Sequence, residues 1–200
     1  MEAIAAIIPV TVFAAIVLFL MKEILELVKK YRADRRKMKA LRTIFARECE
    51  LNHWTIKRVR DIVTTIRDET ARNNKTRFYT VFSKSGDVFF CYARPGADYH
   101  GGSSLAESHR DVMMKYALDV ATLEGHLFLL LEKAIEAANE LEYLRRSIIA
   151  FLDPDNTQDR KYFFDGFIEY ALDELDGIYK DISALYVECT GCSLERHRVR

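Results

Sequence analysis

The chain has 200 residues, half of them hydrophobic and 30% charged, with 30 basic and 30 acidic side chains that cancel to a formal charge of +0. That zero conceals a division of charge along the chain, and the four cysteines, Cys49, Cys91, Cys189 and Cys192, fall in a reducing compartment under the orientation argued below, which speaks against a disulfide framework. The length suits one domain with its own core beside a short accessory segment.

Residues 3–21 read AIAAIIPVTVFAAIVLFLM, with no charge and with Thr11 as the one polar side chain. As a helix rising about 1.5 Å per residue this run is roughly 28 Å long, close to the ~30 Å hydrocarbon core of a bilayer. The expectation is a single transmembrane helix. The run begins after Met1-Glu2 and leaves through Lys22-Glu23, without the basic start and small-residue exit of a cleaved signal peptide. Pro9 inside it removes one backbone donor, which spanning helices tolerate.

A basic cluster follows: Lys29, Lys30, Arg32, Arg35, Arg36, Lys37, Lys39 and Arg42, interrupted by Asp34. By the positive-inside rule these residues stay cytoplasmic, so the N-terminus lies outside and the rest of the chain inside. Near an anionic membrane surface each cation is worth about 1 kcal/mol, which makes lipid headgroups a partner and leaves nucleic acid a poorer one. The charge division continues: residues 22–75 carry 16 basic against 8 acidic side chains, and residues 105–195 carry 8 against 19. The two halves should attract each other.

Apolar positions then recur at helical spacing through Ile24, Leu27, Val28, Tyr31, Met38, Leu41, Phe45, Cys49, Ile56, Val59, Val63 and Ile66. This predicts one helix running to about Ala71, packed from near Met38 and kinked near Asn52, where the stripe has a gap. His53-Trp54 in the gap reads as core packing. Residues 78–82 and 88–92 are rich in β-branched and aromatic residues and flank Ser83-Lys84-Ser85-Gly86-Asp87, which predicts a β-hairpin with both faces apolar. Such a hairpin must lie on the helices, and its free edges can pair with another chain.

The following segment offers the clearest candidate ligand site. Arg94, His100, Gly101, Gly102, Ser103 and Ser104 combine cations, glycines and serines just ahead of a helix, an arrangement that can turn backbone donors toward an anion. The competing reading is a capping box, Ser104 with Glu107, behind a flexible turn. A membrane-bound enzyme using the His100 loop is the remotest reading, since adjacency does not make a triad. From residue 105 apolar positions keep helical steps to Asp153-Pro154, predicting one long helix with a bend or a close helix contact at Gly125, and a core layer over residues 126–131.

The last helix has the cleanest repeat. Ile168, Leu175, Ile182 and Cys189 are spaced by seven, as are Phe164, Ala171, Ile178, Leu185 and Cys192, the pattern of a seam that folds back antiparallel on the preceding helix. Asp165, Glu169, Asp173, Asp176 and Lys180 form its solvated face. Cys189, Cys192 and His197 supply three possible zinc ligands, with Cys49, Cys91 or a residue from a partner needed for a fourth. The plainer reading ends the seam on two small apolar residues.

The sequence therefore predicts a mainly α protein: a transmembrane anchor over 1–22, a basic juxtamembrane helix over 23–48, and an elongated cytosolic helical domain over 49–200 with a hairpin at about 77–93. Binding is the expected mode of action, as a membrane-anchored scaffold or sensor for a partner protein. The alternative is a regulated effector that oligomerises through its anchor and permeabilises the membrane, with Ala6 and Ala14 on the helix-associating face.

Overall fold

The computed structural model describes residues 10–72, 75–96, 100–153 and 160–196. The chain is mainly helical, with the order α1 (Val10–Ala71), β1 (Arg77–Phe82), β2 (Val88–Ala93), β3 (His100–Ser104), α2 (Asp111–Leu123), α3 (Gly125–Leu152), α4 (Arg160–Thr190) and a closing 3₁₀ turn (Leu194–Arg196). It divides into two units, Met1–Leu41 and Arg42–Arg200.

In the first unit, α1 exposes its apolar side chains from Val12 to Tyr31, so the early stripe of Ile24, Leu27, Val28 and Tyr31 has no core to enter. Among the described residues no helix is long and apolar enough to cross a membrane. Residues 3–9 of the apolar run, with Ala6 and Pro9, lie outside the described residues.

The second unit holds the core. Phe45, Cys49, Ile56, Val59, Val63 and Ile66 of α1 are buried as their spacing predicts, but the helix runs through Asn52 without a break. The gap in the stripe is a buried polar patch, with Glu48, Asn52, His53 and Thr55 all inside. Trp54 corrects the expectation of core packing: it is 38% exposed, with the Arg58 guanidinium 5.5 Å from its ring centre.

β1 and β2 form the expected hairpin in the register Phe78–Tyr92 to Phe82–Val88. Gly86, at φ +90°, permits the tight turn, whose Gly86 N–H donates to the Ser83 carbonyl and whose Ser83 N–H donates to the Asp87 carbonyl. β3 extends the sheet antiparallel beside β2, giving the order β1-β2-β3. The inner face buries Val88 and Phe90. The outer face leaves Val81 and Phe89 exposed.

The long helix expected from residue 105 is two helices. Glu124 adopts an extended conformation (φ −154°, ψ 92°) between α2 and α3, and a Cβ on Gly125 would meet nothing within 4 Å, so no close helix contact explains that glycine. Of residues 126–131 only Leu127 and Leu131 are core, while Leu129 is 57% exposed. α4 returns antiparallel along α3: Phe151 packs on Phe167, Tyr170 donates to Glu140, and Glu188 approaches His126. Ile168, Ala171, Leu175, Ile178, Ile182 and Leu185 form the buried seam.

That seam stops before the last pair, since Cys189 is half-buried and Cys192 exposed. Gly191, at φ +72°, terminates α4 by donating to the Val187 carbonyl, a left-handed helix end that favours glycine.

Candidate functional site

The predicted anion loop is a strand. Gly101, Gly102, Ser103 and Ser104 belong to β3, whose register places Gly101 beside Tyr92 and Ser103 beside Phe90. Leu105 N–H donates to the Val88 carbonyl, so the alternation of an antiparallel ladder turns the peptide groups of Gly101 and Ser103 toward β2. Extended backbone spreads its remaining donors along an edge rather than converging them on one anion.

The glycines have steric reasons instead. A Cβ on Gly101 would stand 2.3 Å from the Tyr92 ring, and one on Gly102 would stand 3.1 Å from the Phe90 carbonyl. The Ser103 hydroxyl accepts a hydrogen bond from Arg58 at 3.0 Å. The side chain of His100 lies outside the described residues.

Arg94 is equally committed. Its guanidinium meets the buried Glu69 carboxylate through Nε at 3.2 Å and Nη2 at 2.5 Å, and Thr76 donates to the same carboxylate at 2.8 Å. Thr76 precedes β1 and Arg94 follows β2, so one carboxylate on α1 holds both ends of the hairpin.

The Ser104–Glu107 capping box is also absent. α2 begins at Asp111, and its first donors are capped from another helix: Glu48 of α1 accepts from Val112 N–H at 3.2 Å and from Met113 N–H at 3.0 Å. Asn52 exchanges two hydrogen bonds with the His109 backbone, at 2.6 and 2.7 Å. Glu142 of α3 accepts from Ser108 N–H, and its buried neighbour Arg145 donates to the Leu105 carbonyl while pairing with Glu142 at 3.0 Å. Four polar side chains thus fix residues 105–113. Burial pushes the Glu48 carboxyl above the ordinary carboxylate range against the opposing pull of its two backbone donors.

Within the basic cluster, Lys29, Lys30, Arg32, Arg35, Arg36, Lys37 and Lys39 are exposed on α1. Arg42 is the exception and is not lipid-facing: it donates to Glu124 and to the Glu188 carbonyl at 2.5 Å each, and to the Glu188 carboxylate at 3.1 Å. Together with Arg60 and Asp176, 2.7 Å apart, these contacts realise the predicted attraction between the basic and acidic halves.

Cys189 is held up to about pKa 12, chiefly by burial, and burial also raises the Cys49 thiol far above its usual range, so neither is a ready thiolate. His197 lies outside the described residues. Among those described, no group of three or more His, Cys, Asp or Glu side chains is placed to hold a metal ion. Ala14 is exposed on α1.

Sequence reasoning missed one cavity, a solvent-open cleft of about 500 Å³ between α1, α4 and the closing 3₁₀ turn. His53 and Tyr179 form an aromatic wall, ring centres 5.5 Å apart, above Ile56. Lys57 and Arg60 stand on the α1 side, and Asp176 and Glu195 opposite them. Burial, then the neighbouring Glu195, raises the Tyr179 phenol. The lining supplies charges of both signs and two rings, which suits binding a polar surface rather than activating a nucleophile. Its one sequence signal is the polar interruption at Asn52-His53.

Fold and site together define, over residues 42–200, a small helical domain with a three-stranded antiparallel sheet, pinned by buried polar side chains. No protein-family model, curated protein or solved structure matches this chain.

Proposed function

We propose that this protein is a membrane-anchored binding module: the apolar N-terminal run crosses the bilayer and the domain of residues 42–200 recruits a protein partner at the cytoplasmic surface. One observation carries the reading. Twelve large apolar side chains between Val12 and Val28 are each 38–67% exposed along α1, far more continuous apolar surface than a water-soluble protein leaves uncovered. Lipid chains are the medium that removes this cost. With residues 3–9, which are apolar in sequence, the run reaches spanning length. The exposed cations that follow, from Lys29 to Lys39, support a cytoplasmic domain with its basic segment against anionic headgroups.

The test exchanges residues 3–21 for an unrelated single-pass anchor of equal length and orientation. Partner recruitment should survive, and a membrane-impermeant thiol reagent on intact cells should leave the exposed Cys192 unlabelled until lysis. Labelling of Cys192 from outside overturns the orientation. Loss of function on exchange, with normal insertion and abundance, replaces the scaffold reading with the effector one, in which Ala6 and Ala14 pack anchors together.

A further inference from the structure

We propose that the outer edge of β1, unpaired by any strand among the described residues, is a self-association site, at which a second copy of this chain adds its own β1 antiparallel across a two-fold axis, Thr80 opposite Thr80 and Phe78 opposite Phe82. The hairpin turn fixes which peptide groups face outward. Ser83 N–H donates to the Asp87 carbonyl at 2.8 Å, and the strict alternation of an antiparallel pair then turns the peptide groups of Tyr79 and Val81 toward β2. Those of Phe78, Thr80 and Phe82 point away from β2, where among the described residues no strand pairs with them, β1 being the terminal strand of the sheet.

Edge strands in folded proteins are normally guarded by a charge, a proline or a bulge. From Phe78 to Phe82 β1 has none of these. The opposite edge differs: β3 carries two glycines without side chains to pair, and Ser103 is bonded to Arg58.

The second copy is chosen by register and charge. A two-fold pairing that keeps the outer faces of both sheets on one side must match even-numbered residues with even-numbered ones. Centring it on Thr80 is the arrangement that engages all three outward residues of both copies, each opposed pair exchanging both its N–H···O=C bonds. The same register sets Tyr79 against Val81 and Phe78 against Phe82, aromatic and β-branched pairs of the kind that stabilise sheets. Phe82, 64% exposed, and Val81, 44% exposed, gain partners. Arg77 opposes Ser83 and Lys84 opposes Thr76, so no like charges meet. The inference holds whether or not the N-terminal run spans a bilayer.

The experiment is sedimentation velocity of the full chain in detergent, across a concentration series, on protein with Cys91, Cys189 and Cys192 replaced by Ser. A reversible dimer is expected. Thr80→Pro removes an outward N–H and no β1–β2 bond, and it should abolish the dimer with an unchanged far-UV spectrum; if it disturbs folding, Val81→Lys on the exposed outer face decides. Leu118→Lys, on an α2 side chain 83% exposed, should leave the dimer intact. Under mild oxidation Thr80→Cys chains should link to each other, Phe82→Cys chains should not, and a mixture of Phe78→Cys with Phe82→Cys chains should. The proposal is overturned by a monomer at every concentration, a foreign chain held on β1 in place of a second copy, a dimer indifferent to both Thr80→Pro and Val81→Lys, or a dimer lost on Ala14→Leu instead. Self-linkage of Phe82→Cys as fast as that of Thr80→Cys overturns the register and with it the proposal.

Discussion

Glu48 offers the sharpest test of how the domain is held together, because its carboxylate caps a helix to which it does not belong. Glu48→Ala removes the acceptor for two backbone donors, Val112 N–H and the fully buried Met113 N–H. A lost N-terminal cap costs about 1 kcal/mol, and a buried donor left unsatisfied adds roughly 1–3 kcal/mol. The expected total is about 2–4 kcal/mol, a large share of the 5–15 kcal/mol typical of a domain. For a unit of this size that lowers Tm by about 5–10 °C. Glu48→Gln keeps one carbonyl acceptor in place and should cost about 1 kcal/mol.

The pH dependence has a definite sign. Burial raises the folded Glu48 carboxyl above its ordinary range, so its contribution to stability is greatest below that range and is lost as pH rises through the raised value. Wild type should therefore gain on Glu48→Gln as the pH falls from neutral into the carboxylate range. The assay is thermal unfolding by circular dichroism with hydrogen exchange at the Val112 and Met113 amides. Stability of Glu48→Ala within about 0.5 kcal/mol of wild type, with both amides still protected, would refute the cross-helix cap.

Two further predictions rest on other contacts. Gly101→Ala should destabilise the sheet by about 1–2 kcal/mol through collision with the Tyr92 ring, and the penalty should vanish in a Tyr92→Ala background, measured as a double-mutant cycle in urea. Iodoacetamide near pH 8 should alkylate the exposed Cys192 before Cys189 and Cys49, which burial keeps protonated; because the folded state holds Cys189 to about pH 12, stability should fall as pH climbs from the ordinary thiol range toward that value. Peptide mapping that found Cys189 modified first would contradict the burial argument.

Much of the helical core was legible because it depends on local periodicity. The α1 stripe from Phe45 to Ile66 and the seven-residue spacing of Ile168, Leu175 and Ile182 report a buried face whatever lies against it, and the structure buries each of them. The hairpin was legible for a similar reason, since its strands are β-branched and aromatic around a glycine turn. β3 was not: His100-Gly101-Gly102-Ser103-Ser104 has almost no intrinsic strand preference. It is a strand because it pairs with β2, and it carries glycine at 101 and 102 because the Tyr92 ring and the Phe90 carbonyl occupy the space that side chains there would need. The same glycines in isolation present the composition of an anion-binding loop, which is why the candidate site fell there.

The start of α2 shows how a correct local rule yields to distant partners. Ser104 and Glu107 satisfy the spacing of a capping box, and nothing within the segment forbids a helix from residue 105. The segment stays non-helical because its peptide groups are taken from outside: the Leu105 carbonyl by Arg145, Ser108 N–H by Glu142, and the His109 backbone by Asn52. A helix over those residues would break these bonds and strand Asn52, Glu142 and Arg145 in the interior, where an unpaired amide or charge costs more than a local cap returns. The polar residues that look like faults in the apolar stripes of α1 and α3 are thus the ones that join the sheet to the bundle. Their partners are 34 to 65 residues away along the chain, with the apolar stripe showing only where the gap lies and not what fills it.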